Sequence, residues 1–273
     1  MRFFGMTAVA AALLLACSVP TTATPPRYDH IVCVIEENHS AQQVMGSPFF
    51  ASLAARGAFF SHAYAVTHPS QPNYIALFSG STQGVTDDNL HDITAPNLAT
   101  SLLSAGLSFA GYSEGLPSAG YRGFTSGRYV RKHNPWASFT NAPDAVNLPF
   151  TDFPGADYTL LPTVSIVVPN LDNDMHDGSV AAGDAWLQNN LDGFVRWAVD
   201  HNSLFIVTFD ECAGTDPVAM TPIATILVGA RVRQGTYDSP ITLYSILRML
   251  EDAYNLPYLG EEKSAPGISG IWE

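Results

Sequence analysis

The chain has 273 residues, 47% hydrophobic and 14% charged, which excludes a disordered chain and leaves room for one sizeable α/β core but not two. Acidic residues outnumber basic ones by 25 to 12, for a formal charge of −13. That balance gives no electrostatic footprint for nucleic acid, whose binding needs cations to displace condensed counterions, and it would instead draw metal cations.

The N-terminus reads as an export signal. Arg2 is followed by an apolar run over residues 8–16 and then by polar, Pro-bearing sequence. The run is too short to span a bilayer. Two processing routes stay open. Leu14-Leu15-Ala16-Cys17 resembles a lipoprotein box, which would make Cys17 a lipidated membrane attachment and the protein a cell-envelope lipoprotein. Cleavage after Ala23 would instead release a secreted protein. Residues 1–24 are therefore assigned to signal peptide and tether, and 25–273 to a single domain. Cys33 lies inside one apolar run and Cys212 just after another, so two reduced thiols are expected.

Downstream, strand-like and helix-like segments alternate. Residues 30–35 form a buried strand by their β-branched content, 47–56 a helix stopped by Gly57, and 59–66 a second strand. Residues 70–79 and 96–105 read as helices, and 107–112 as a strand. Residues 113–160, rich in Gly, Pro, Ser and Asn, are expected to cap the sheet edge. Strands follow at 163–168, 204–209 and 223–228. Between the first two, Leu187, Leu191, Phe194, Val195 and Ala198 keep helical spacing. Pro240 is placed to open a last helix with Ile241, Tyr244, Leu247 and Leu250 as its apolar stripe. The pattern predicts an α/β fold with a largely parallel central sheet and helices on both faces.

Polar runs collect at the C-terminal ends of these strands, the edge where open α/β sheets bind ligands. They are Glu36-Glu37-Asn38, residues 67–73, residues 170–177 and Asp210-Glu211. Ser70 has the sequence position of a helix cap. It also has the position of a nucleophile, because a hydroxyl at a helix N-terminus faces free N–H groups that bind phosphate. Asn73 can offer its amide to a phosphate oxygen. Glu37, Asp210 and Glu211, with the Asn38 carbonyl, make an all-oxygen set of the kind divalent cations prefer, and Asp174 is a further candidate ligand. A cation there would lower the Ser70 pKa and neutralise charge on a transferring phosphoryl group. His133 and His176 can serve as ligand, proton donor or structural residue, as can His68. His39 and His201 read as surface residues. Arg122, Arg128, Arg131 and Lys132 form a basic cluster expected to steer a polyanionic substrate.

Taken together, IEENHS, THPSQPNYIALFSG, KHNPW, PNLDNDMHDGSVAAGDAWL, VTFDE and LEDAYNLP resemble the bacterial acid phosphatase and phospholipase C phosphoesterases of the alkaline-phosphatase superfamily. Within that family the resemblance is to the exported branch acting on phosphatidylinositol 3-phosphate. It implies an alkaline-phosphatase-like fold and a phosphoserine formed at Ser70. It also implies a divalent metal at Glu37, Asn38, Asp210 and Glu211, with Asn73, His133 and His176 near the phosphate. The implied partner is a phosphate ester, a phosphoinositide among the options. Cys212 and Ala213 stand where relatives carry two more acids, and Leu243 where they carry histidine. These departures keep two alternatives open, a phospholipase C-type diesterase and a catalytically impaired binding protein. A sulfatase is excluded, because Tyr74 occupies the position where its motif needs arginine.

Overall fold

The computed structural model describes Met1 and residues 24–273. The expected export signal and the expected lipidation of Cys17 fall outside the described residues.

The elements run in the order β1 (His30–Glu36), α1 (Ala41–Val44), α2 (Pro48–Arg56), β2 (Ala58–Tyr64), α3 (Ser70–Ser79), α4 (Leu98–Ser104) and β3 (Phe109–Ser113). Then come β4 (Thr125–Ser126), β5 (Tyr129–Val130), α5 (Pro135–Ser138), β6 (Asn147–Pro149), β7 (Val164–Val168) and α6 (Val180–Asp200). The chain closes with β8 (Ser203–Phe209), β9 (Ile223–Gly229), β10 (Gly235–Tyr237), β11 (Ile241–Thr242) and α7 (Leu243–Tyr254). Nine strands form one sheet in the order β10-β2-β9-β8-β1-β7-β3-β6, with β11 also pairing β2.

β1 lies in the middle because five consecutive residues, Ile31 to Ile35, are at most 1% exposed, so both of its faces must be covered. It pairs in parallel with β7 on one side and β8 on the other. The expected largely parallel sheet is what forms. Its exception is β9, antiparallel to both β8 and β2. Two antiparallel steps restore direction, so β2 ends on the same edge as β1 and β8. That topology brings the polar runs together.

α6 packs on β8, β9 and α2, and α3 packs on α7. The Asp184 carboxylate of α6 accepts the Phe49 and Phe50 N–H groups at 3.1 and 3.0 Å, satisfying orphan donors at the start of α2. Cys33 and Cys212 are free thiols, both buried, as expected.

Two expectations shift. Segment 113–160 does more than cover the sheet edge, because its β6 is the edge strand, paired in parallel with β3. The last helix starts at Leu243, three residues later than expected from Pro240. Ile241 and Thr242 first pair with Ala63 and Tyr64 of β2, and Thr242 then caps the helix, its N–H meeting Ser245 Oγ at 3.1 Å. Leu247 and Leu250 are buried as the stripe requires, whereas Tyr244 is only half-buried.

Trp136 anchors the loop that carries Lys132 and His133. It is fully buried and donates from Nε1 to Asn147 Oδ1 at 2.8 Å. Its ring lies flush on Gly111 of β3, where an added Cβ would fall 2.1 Å from Cε2. Gly111→Ala is therefore expected to cost about 1–3 kcal/mol by overpacking. Urea unfolding would measure that loss, and an unchanged midpoint would mean that the indole has room to move.

Candidate active site

The parallel register of β1 and β8 builds the centre. Glu36 sits opposite Phe209, and the Asp210 N–H donates to the Glu36 carbonyl at 2.9 Å. Glu37 and Asp210 thus leave the sheet side by side. Asn38 turns the chain in the left-handed region, φ 56°, which Asn tolerates better than most residues. Its N–H donates to Asp210 Oδ1 and its Nδ2 to Glu37 Oε2, both at 3.0 Å. Glu36, one residue before Glu37, points to the opposite face and is buried, as alternation along a strand requires.

From β2 the chain runs through a cis His68–Pro69 peptide into α3, whose first residue is Ser70. Ser70 is 2% exposed, and its hydroxyl lies 3.0 Å from Glu37 Oε2 and 3.3 Å from Glu211 Oε1. Asn73, one turn on, braces this loop. Its Oδ1 accepts the Val66 and Thr67 N–H groups at 3.0 Å, and its Nδ2 donates to the Thr67 carbonyl at 2.8 Å and to Glu211 Oε2 at 3.3 Å.

His133 is buried behind Glu37. Its Nε2 lies 3.1 Å from Glu37 Oε1, its Nδ1 lies 3.1 Å from Asp174 Oδ2, and its ring stacks on Tyr74 at 5.2 Å. Asp174 spends its other oxygen on the His176 N–H at 2.8 Å, so it faces the histidines more than the other carboxylates. His176 is half-buried, 5.5 Å from His133 between ring centres, with Nδ1 on Asp177 at 2.7 Å. Single atoms of Glu37, His133 and His176 come within 4.8 Å of one another, a spacing a metal ion could bridge.

The acids carry an electrostatic strain. Burial, then the charges of Asp210 and Asp174, hold the Glu37 carboxyl well above its ordinary range. Burial also raises Asp210, lifts Asp174 from 3.8 to about 7, and, reinforced by the Asp210 charge, lifts Glu211 from 4.5 to about 7. Burial, followed by the Lys132 ammonium, pushes His133 well below its usual value. Without a cation, protons therefore collect on the carboxyls. Asp210 Oδ2 is buried with no hydrogen-bond partner. A crowded acid cluster with an orphaned oxygen fits a cation that would replace those protons.

Three further residues contribute. His68, left open between ligand, proton donor and structural residue, places Nδ1 2.8 Å from Glu211 Oε2 and Nε2 2.8 Å from the Asp216 carbonyl. Burial would lower its pKa, yet these two acceptors raise it. Tyr74 supplies the face on which His133 stacks. Asp88 accepts the Gln71 N–H on Oδ1 at 3.0 Å and Lys132 Nζ on Oδ2 at 2.8 Å. The only sequence signal for His68 and Tyr74 was closeness to Ser70, and Asp88 had none.

The arginines of the basic cluster are held in ion pairs and carbonyl contacts of their own. Arg122 binds Asp144 and the carbonyls of Ala137, Phe139 and Ala142. Arg128 pairs with Asp172 and Asp177, and Arg131 with Asp92 and the His91 and Arg122 carbonyls. These three guanidinium groups pin loops together. Of the four, Lys132 alone reaches a site histidine.

Comparison with known proteins gives consistent results. The model of the Phosphoesterase family matches residues 45–257. The phosphatidylinositol-3-phosphatase of Mycobacterium tuberculosis is 47% identical over 90% of this chain and 84% of its own length. A phosphate-repressible acid phosphatase of Penicillium chrysogenum is 31% identical over 85% of this chain, which spans 60% of that relative's length. A solved structure from Vibrio parahaemolyticus, described as a protein in the alkaline phosphatase superfamily, aligns with TM-score 0.61 at 15% identity over 91% of this chain and 73% of its own. At that identity the likeness speaks for the fold alone.

Proposed function

The chain belongs to the Phosphoesterase family, and on that footing we propose that it is a metal-dependent acid phosphatase acting through a phosphoserine intermediate. Hydrolysis of phosphoric esters follows from the family. The finer reading rests on one observation: the Ser70 hydroxyl, at the head of α3, lies within 3.3 Å of two carboxylates at the edge where the strands end. A nucleophile needs a proton acceptor and a neutralised environment, and this is where both can be arranged.

In this reading Ser70 Oγ attacks phosphorus, its proton passing to a neighbouring carboxylate, and the ester oxygen leaves with a proton from His176. Water then cleaves the phosphoserine. Asn73 holds the Ser70 loop, while His133 and Asp174 hold Glu37 and His176, so Asp174 acts as a brace and not as a ligand. Glu37, Asn38, Asp210 and Glu211 would hold a divalent cation, which supplies a lowered serine pKa and charge neutralisation at the phosphoryl group. A phosphorylated inositol headgroup is the proposed substrate, because the mycobacterial relative is named for one. Export, with or without lipidation at Cys17, is part of the proposal on the sequence of residues 1–24 alone.

Chelation of residues 25–273 is expected to abolish p-nitrophenyl phosphate hydrolysis, and single divalent metals to restore it. A chelated protein with full activity would overturn the metal requirement. Inactivity with every metal across acidic to alkaline pH, from a folded protein, would favour an impaired relative.

A further inference from the structure

We propose that Lys132 is the substrate-contacting cation of this site, held in place by Asp88, and that it favours phosphomonoesters over diesters. The inference rests on the phosphatase reading above. Lys132 has a side chain 15% exposed, and its Nζ lies 2.8 Å from Asp88 Oδ2 and 3.4 Å from His176 Nε2. An ammonium has three donors; Asp88 accepts one, and no other oxygen acceptor for it is present among the described residues. That leaves a donor for an incoming anion. Arg122 and Arg131 each bind a carboxylate and backbone carbonyls, and Arg128 pairs with Asp172 and Asp177.

The position is tied to the nucleophile. Asp88 grips Lys132 with one oxygen and the Gln71 N–H, next to Ser70, with the other. One carboxylate thus fixes the ammonium to the first turn of α3. Trp136 fixes the other end of the loop through Asn147, and Asn134 ties it to Ser113 and to the Val130 carbonyl. Rigid support at both ends suits a charge that must meet a phosphoryl group at a set place.

Charge explains the selectivity. Glu37, Asp210 and Glu211 make the site acidic, and a monoester dianion carries one more negative charge than a diester. The ammonium offsets repulsion that the diester feels less.

The test uses Lys132→Met, which keeps the apolar stem, with Lys132→Arg and Asp88→Asn beside it. Each is assayed on p-nitrophenyl phosphate and bis(p-nitrophenyl) phosphate, and inorganic phosphate binding is measured by calorimetry. Thermal unfolding checks that each variant is folded. Lys132→Met is expected to lose about 10-fold to 100-fold in monoester kcat/KM, to lose much less on the diester, and to bind phosphate correspondingly weakly. Lys132→Arg should recover most of the loss, and Asp88→Asn should raise KM more than it lowers kcat. Equal losses on both esters with phosphate affinity unchanged would overturn the proposal. A wild type without turnover would overturn the phosphatase reading instead, and weakened phosphate binding in Lys132→Met would still support Lys132.

Discussion

Ser70→Ala is expected to lower turnover of p-nitrophenyl phosphate by roughly 10⁴-fold or more while leaving the fold intact. The hydroxyl lies against the Glu37 and Glu211 carboxylates and in this reading forms the bond to phosphorus, which is lost with it. Losing it removes one O–H donor shared between two carboxylates, a hydrogen bond worth about 0.5–1.5 kcal/mol net and a small change against the stability of a domain this size. Two readouts separate chemistry from damage. Acid quenching of the wild type with labelled substrate should leave phosphate on Ser70, and the variant should carry none. Retention of a tenth of the activity by Ser70→Ala would mean that water attacks directly and that Ser70 is only a cap.

Much of this site was legible because its parts lie at strand ends. The β1 and β8 runs are long, apolar and β-branched, and the polar residues that follow them stand out. Parallel register then places Glu37 beside Asp210 with no further information. The sequence could not reveal pairings between loops. Lys132 and Asp88 are 44 positions apart and are joined by one 2.8 Å contact, and no local pattern announces it. The same holds for Arg131 and Asp92, so four basic residues close in sequence looked alike although three are structural. His133 was legible as part of a motif but not as a buried brace, because burial depends on Tyr74 and Asp174 arriving from other elements. The antiparallel β9 was equally hidden, since a buried strand reads the same in either direction.

Glu37→Gln is expected to lower activity by about 10²-fold or more at limiting metal, with partial recovery in excess metal, and at the same time to stabilise the chelated protein. The opposing signs follow from the raised carboxyls. A carboxyl whose folded pKa is raised binds more protons folded than unfolded. It therefore favours the fold below its unfolded pKa and withdraws that support as pH climbs to the folded value. For Asp174 and Glu211 the window runs from 3.8 and 4.5 to about 7. Glu37 is shifted in the same direction by burial and by the Asp210 and Asp174 charges. Glutamine keeps an acceptor for Ser70 and Asn38 but has no charge to bury, so it avoids the penalty that grows with pH. In chelator, the melting temperature of Glu37→Gln should match wild type near about pH 4 and exceed it near about pH 8, by about 2–4 °C for each kcal/mol relieved. Added divalent metal should reverse the order at the higher pH, because only the wild type gains a full ligand set. A variant no more stable than wild type at any pH would show that the buried carboxyl is already neutralised by His133, 3.1 Å away, and that the site carries no strain for a cation to relieve.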